Sequence, residues 1–133
     1  MFFSKISLHL FLITVLNTVL GSDVLDYSRG NFRRNVRKHD TILVVFFAPW
    51  CPHYKRLAPE YEKAAMKLKN NYPPVPLAKV DCTRKRGYRI CDRNKIKYYP
   101  TLKVFKRGKF STEYNLTLNA YGIVKYMRSQ VGS

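Results

Sequence analysis

The chain has 133 residues, which is enough for one domain with a modest hydrophobic core. It carries 25 Lys and Arg residues against 8 Asp and Glu residues, for a formal net charge of +17. Such a positive field favours acidic proteins or other polyanions as partners, with ordinary solvated surface charge as the alternative. The sequence shows no metal-ligand cluster, phosphate-binding loop or hydrolytic triad, so we expect neither a metal nor a cofactor.

The N-terminal segment has the pattern of a secretory signal peptide. Lys5 precedes an apolar stretch from Ile6 to Leu20, and small residues follow at its end. A membrane anchor is the alternative, but the stretch is short for a span and contains Asn17. We therefore predict a signal peptide over residues 1–21 and one domain over residues 22–133. Export also argues against nucleic acid as a partner.

Beyond the signal, segments of strand character alternate with segments of helical character. Strands are predicted over Ser22–Tyr27, Thr41–Ala48, Val75–Asp81, Thr101–Lys106 and Phe110–Tyr114. Helices are predicted over Ser28–Lys38, Cys51–Asn70, Asp92–Ile96 and Asn119–Val131, with a basic loop over Thr83–Ile90. This order predicts an α/β fold in which helices flank a mixed sheet.

A cysteine stands where the most apolar strand meets the longest helix. Cys51 follows Pro49-Trp50 and precedes an amphipathic helical pattern. The free N–H groups and the dipole of a helix start favour the thiolate over the thiol, and a protonated His53 beside the sulfur would add to this effect. We therefore predict an exposed, reactive Cys51 with His53 as its activator. An inert structural thiol and a solvated bystander histidine are the alternatives.

The surrounding residues resemble the active-site segment of the protein disulfide isomerase family. The likeness covers Phe46–Glu62 and continues through Pro76–Thr83, Tyr99–Phe105 and Gly122–Val124. It is strongest to the first thioredoxin domain of the members that work with calnexin and calreticulin. The resemblance implies a thioredoxin fold, with a central mixed sheet between helices. It also implies a role in the folding of unfolded or disulfide-containing client proteins.

Three positions depart from the family pattern. The family's second active-site cysteine is replaced by Tyr54, its buried glutamate by Val45, and its mobile arginine by Leu118. Lys79 thereby loses its usual carboxylate partner. The resemblance then implies that Cys51 can form mixed disulfides with clients but cannot resolve them internally. Three interpretations are open: an isomerase of attenuated activity, a redox-inactive binding or chaperone module, or a duplicated copy of a family member with little function of its own.

Client contacts are assigned by the same resemblance. It implies a cis-proline turn at Tyr99-Pro100 that offers backbone groups to an extended client beside Trp50. For the turn, an ordinary trans proline is the alternative. For Trp50, the alternative is a core aromatic without client contact.

The cysteine count bears on disulfide pairing and on the compartment. Cys82 and Cys91 lie nine positions apart in a chain with an export signal, and the resemblance implies a disulfide between them. Two buried free thiols are the alternative.

Asn115-Leu116-Thr117 is a sequon for N-glycosylation, and the last residues lack a retention tetrapeptide. We expect the protein in the lumen of the endoplasmic reticulum or outside the cell.

Overall fold

Five strands form one mixed sheet in the order β1–β3–β2–β4–β5 in this computed structural model, which describes residues 21–131. The strands are β1 (Val24–Asp26), β2 (Thr41–Phe47), β3 (Leu77–Asp81), β4 (Thr101–Lys106) and β5 (Lys109–Glu113). The helices of the described part are α1 (Phe32–Arg37), α2 (Pro52–Lys69), α3 (Lys85–Arg93) and α4 (Ala120–Gln130). Strand β3 pairs in parallel with β1 and β2, whereas β4 pairs antiparallel with β2 and β5. The predicted α/β fold is confirmed. The predicted signal peptide, apart from Gly21, lies outside the described residues.

Strand β2 is buried on both faces because it lies at the centre of the sheet. Its alternate side chains enter two hydrophobic clusters. Leu43, Val45 and Phe47 join the cluster under α2 and α4. Ile42, Val44 and Phe46 join the opposite cluster, which includes residues of α1 and α3. The sheet thus separates two layers of helices, and α2, with Cys51 at its start, belongs to the first layer.

Helix α3 corrects the prediction for the segment after β3. The sequence indicated a basic loop over Thr83–Ile90 and a short helix over Asp92–Ile96, but one helix spans Lys85–Arg93. Its buried residues are Gly87, Ile90 and Cys91, which have helical spacing but form a stripe too small to recognise among so many charges. A Cβ atom on Gly87 would lie 1.8 Å from the carbonyl oxygen of Asp81, so the helix packs on the end of β3 through a glycine.

The other predicted elements are present, with ends that differ by a few residues. Helix α2 continues through Pro59 to Lys69, and Asn119 caps α4 by accepting a hydrogen bond from the amide of Gly122. None of the helices between residues 21 and 131 has the length and apolar character needed to cross a membrane.

Candidate functional site

Cys51 is the N-cap residue of α2, and Pro52 occupies the first turn of the helix. The amide of Cys51 donates to the carbonyl oxygen of Ala48, and the Cys51 carbonyl accepts from the amide of Lys55. This is the helix-start position that the sequence predicted. The prediction of an exposed thiol is wrong, however, because only 7% of Cys51 is accessible to solvent.

The Tyr99–Pro100 turn contributes to this burial. The Sγ atom of Cys51 donates to the carbonyl oxygen of Tyr99 at 3.6 Å, so the turn that precedes β4 lies against the sulfur. The peptide bond between Tyr99 and Pro100 is cis. Local sequence could not reveal the burial, because the covering residue lies 48 positions away along the chain.

Trp50 precedes Cys51 and lies on the solvent-exposed side of the Tyr99–Pro100 turn. Its side chain is 65% exposed, and its ring meets the ring of Tyr99 edge to face with centroids 6.2 Å apart. This exposure excludes the alternative of a core aromatic. The structure therefore brings together Trp50, Cys51, Tyr99 and Pro100, with one aromatic surface open to solvent beside the sulfur.

His53 is directed to a different partner. It is exposed in the first turn of α2, and its Nδ1 atom lies 2.9 Å from a guanidinium nitrogen of Arg56. A guanidinium group only donates hydrogen bonds, so Nδ1 is the acceptor in this contact. Among the described residues the structure shows no hydrogen bond between His53 and Cys51. The hydrogen-bond partner of His53 in this structure is therefore Arg56 rather than Cys51.

Tyr54, at the position of the missing cysteine, is a packing residue. Its ring stacks on Phe47 with centroids 4.0 Å apart and planes 13° apart, and it packs against the cluster under α2 and α4. Burial, together with the charges of Glu62, Asp81 and Asp26, raises the pKa of Tyr54 to about 12. The side chain is therefore a neutral phenol at physiological pH and cannot act there as a base or a nucleophile.

Lys79 has a carboxylate neighbour that sequence reasoning missed. In the sheet register Lys79 pairs with Val45 on one side and with Asp26 on the other. Burial alone would raise the pKa of Asp26, but hydrogen bonds from Ser28 and the charges of Lys79 and Arg84 outweigh it and lower the pKa. Asp26 thus supplies negative charge near Lys79 where Val45 cannot. The available signal in the sequence was that Asp26 lies two positions after Val24 and therefore on the same face of β1.

The remaining predicted residues belong to other elements of the domain. Cys82 and Cys91 form a disulfide with Cα atoms 5.7 Å apart, which ties the end of β3 to α3. Cys51 is the remaining, free cysteine. Asn115 and Leu118 are exposed in the segment between β5 and α4. Within residues 21–131, no group of three His, Cys, Asp or Glu side chains is arranged to hold a metal ion.

Comparison with known proteins matches this chain to thioredoxin domains and to protein disulfide isomerases. The family model described as Thioredoxin matches residues 23–129. The protein disulfide-isomerase of Medicago sativa is 47% identical over 110 residues, which cover 82% of this chain and 22% of that protein. The chain therefore spans only about a fifth of that curated relative.

Solved structures agree with the fold. The first thioredoxin domain of mouse protein disulfide-isomerase A4 matches with a TM-score of 0.71 and 38% identity, covering 80% of this chain and 74% of that one. A crystal structure of human ERp44 matches with a TM-score of 0.77 and 30% identity, covering 85% of this chain and 30% of that one.

Proposed function

The chain belongs to the thioredoxin family, and on this basis we propose that it is a protein disulfide isomerase-like domain that acts in protein folding. The observation that carries the proposal is the position of Cys51. It is the free cysteine, it caps the start of α2, and it lies against the Tyr99–Pro100 turn with Trp50 exposed beside it.

The proposed chemistry is thiol–disulfide exchange through one sulfur. The Cys51 thiolate attacks a client disulfide, the client S–S bond breaks, and the displaced client sulfur leaves as a thiolate. A second client thiolate, or glutathione, then attacks the mixed disulfide and releases Cys51 as a thiolate. No electrons are lost or gained overall when the second thiol belongs to the same client, so the net reaction is isomerisation.

Tyr54 sets the limit of this chemistry. It has no sulfur and remains a neutral phenol, so each mixed disulfide persists until an external thiol arrives. We therefore propose attenuated turnover and no net oxidation or reduction by an internal dithiol. His53 is the proposed activator of Cys51, after release from Arg56. Trp50, Tyr99 and Pro100 are the proposed client contacts.

The proposed setting is the secretory pathway. It is supported by the signal pattern over residues 1–21, which would leave a domain over residues 22–133, and by the Cys82–Cys91 disulfide, since such bonds persist in oxidising compartments. N-glycosylation of the exposed Asn115 fits the same setting. The endoplasmic reticulum lumen and the cell exterior are the two proposed locations.

The deciding experiment is recovery of activity from a scrambled-disulfide substrate in glutathione buffer. The mature protein is compared with Cys51→Ala and with buffer alone. Faster recovery that disappears in Cys51→Ala supports monothiol isomerisation. Equal rates for both proteins would exclude it.

A second candidate function is a binding or chaperone module without redox activity. The burial of Cys51 and its contact with the Tyr99 carbonyl oxygen favour it, because a less accessible sulfur forms mixed disulfides less readily. Its proposed partners are unfolded or acidic proteins or other polyanions, which the net charge attracts. Suppression of client aggregation by Cys51→Ala, at the level of the parent protein, would support this function.

A further inference from the structure

A concave, strongly basic surface lies on the side of the sheet opposite to α2. It runs between α1, α3 and the β4–β5 hairpin and has a volume of about 780 Å³. We call it the basic groove and define it by an arginine rim and an apolar lining. Four arginines form the rim: Arg33, Arg86, Arg89 and Arg93. Five residues form the apolar lining: Phe32, Val36, Ile90, Phe105 and Phe110.

The helical geometry of α3 aligns its arginines. Arg86, Arg89 and Arg93 follow one another at spacings of three and four residues, which places them on one face of the helix. The Cys82–Cys91 disulfide ties the opposite side of α3 to the end of β3. The three guanidinium groups therefore project from a helix that is covalently held to the sheet.

The positive charge of the rim is not neutralised by the domain itself. Among residues 21–131, none of the four arginines forms a salt bridge with a carboxylate, and no Asp or Glu lines the groove. The guanidinium group of Arg86 donates to the carbonyl oxygen of Gly30 at 3.5 Å, which is a neutral partner. Like charges one helical turn apart destabilise a helix, so a negatively charged ligand would relieve repulsion that the fold leaves in place.

The lining decides which kind of anion fits. Phe110 is 56% exposed beside the arginines, its ring packs edge to face on Phe105, and the ammonium group of Lys103 lies 5.1 Å from its centroid. A sulfated saccharide supplies anionic groups for the rim but has no flexible apolar side chain to insert into the lining, and a flat membrane surface cannot follow a concave groove. A peptide can supply carboxylates for the rim and an apolar side chain for Phe110 at once.

We propose that the basic groove binds an acidic peptide segment of a partner protein, with its carboxylates on the arginines and an aromatic or other apolar side chain against Phe110. Arginine suits this role because its planar guanidinium group pairs with carboxylates through two parallel hydrogen bonds. The site is separate from the thiol chemistry, because the groove and α2 lie on opposite faces of the sheet.

The test is the affinity of the whole mature protein for a synthetic, cysteine-free peptide of Glu and Asp residues with two Phe residues, measured by fluorescence anisotropy. Arg89→Glu is compared with Lys67→Glu, an exposed charge reversal on α2. Loss of a charge-assisted hydrogen bond should weaken binding by about tenfold in Arg89→Glu, with a much smaller change in Lys67→Glu.

The apolar contact is tested with matched aromatic truncations. Phe110→Ala should lower the affinity for the Phe-containing peptide but not for the same peptide with Ala in place of Phe. Tyr121→Ala, an exposed aromatic truncation on α4, should change neither affinity. Circular dichroism verifies folding, and Arg89→Gln repeats the test without reversing the charge.

Two results would overturn the proposal. Equal weakening by Arg89→Glu and Lys67→Glu would mean that net charge alone attracts the peptide. Tighter binding of a heparin fragment or of anionic phospholipid vesicles, with no effect of Phe110→Ala, would assign the groove to another class of ligand. Because the peptide contains no cysteine, Cys51→Ala should bind it as the parent does, so the outcome is independent of the isomerase proposal.

Discussion

Replacing Tyr54 by cysteine separates the chemical and the structural consequences of that residue. The change restores the spacing of two cysteines across the start of α2 but removes the ring that stacks on Phe47. We expect Tyr54→Cys to gain dithiol chemistry and to lose stability. Tyr54→Phe is the matched control, because it retains the ring and lacks the sulfur.

The expected loss of stability can be worked from the packing. Truncation of a fully buried large aromatic side chain costs about 3–5 kcal/mol. Tyr54 is half-buried, so about half of that cost applies, and the free energy of unfolding should fall by about 2 kcal/mol. For a domain of this size, Tm should fall by on the order of 10 °C. Tyr54→Phe should stay within about 0.5 kcal/mol of the parent, because among residues 21–131 the structure shows no hydrogen bond from the hydroxyl group.

Urea unfolding under reducing conditions measures the stability, and a count of free thiols after treatment with oxidised glutathione measures the chemistry. Tyr54→Cys should form an internal disulfide with Cys51 and oxidise a reduced client peptide, whereas the parent and Tyr54→Phe should not. Unchanged unfolding of Tyr54→Cys would refute the packing role assigned to Tyr54. Failure to form the internal disulfide would show that the start of α2 no longer supports dithiol geometry.

Three further predictions concern the framework of the site. Replacing both Cys82 and Cys91 by serine should lower the free energy of unfolding by about 2–3 kcal/mol, measured in urea without a reducing agent so that the parent keeps its disulfide, and an unchanged midpoint would contradict the pairing. Tyr61→Phe removes a buried hydroxyl whose single proton is shared between the carbonyl oxygens of Ala78 at 2.7 Å and Leu43 at 3.1 Å. This change should cost about 1–2 kcal/mol in the same assay, where no change would refute that role. The pKa of Asp26 is lower in the folded protein than its ordinary value of 3.8, so the ionised carboxylate stabilises the fold. This stabilisation should be complete at pH values above 3.8 and should be lost as the pH falls through the lower pKa of the folded state. Acid titration monitored by circular dichroism should therefore show a shallower loss of stability for Asp26→Asn, and an identical profile would count against the assignment.

Local sequence patterns determined most of the framework. The apolar run of β2, the core-facing stripe of α2 and the position of Cys51 at the start of that helix are all visible as patterns of residues close together in the chain. The sequence pattern did not predict helix α3, because its buried stripe consists of only three small or apolar residues among many charged ones. Packing of Gly87 on β3 and the disulfide at Cys91 stabilise this helix from outside its own sequence.

The exposure and partners of the candidate site residues were decided by the tertiary structure. Cys51 is covered by the Tyr99 carbonyl group, Lys79 lies beside Asp26 across the sheet, and the arginines of α3 face Phe110 on a distant hairpin. Each of these pairs joins segments that are far apart along the chain. Periodicity reports which face of an element is apolar, but the groups that a side chain meets depend on how the sheet orders its strands. The sequence by itself therefore determined where the free cysteine stands, and only the folded domain decided which groups it contacts.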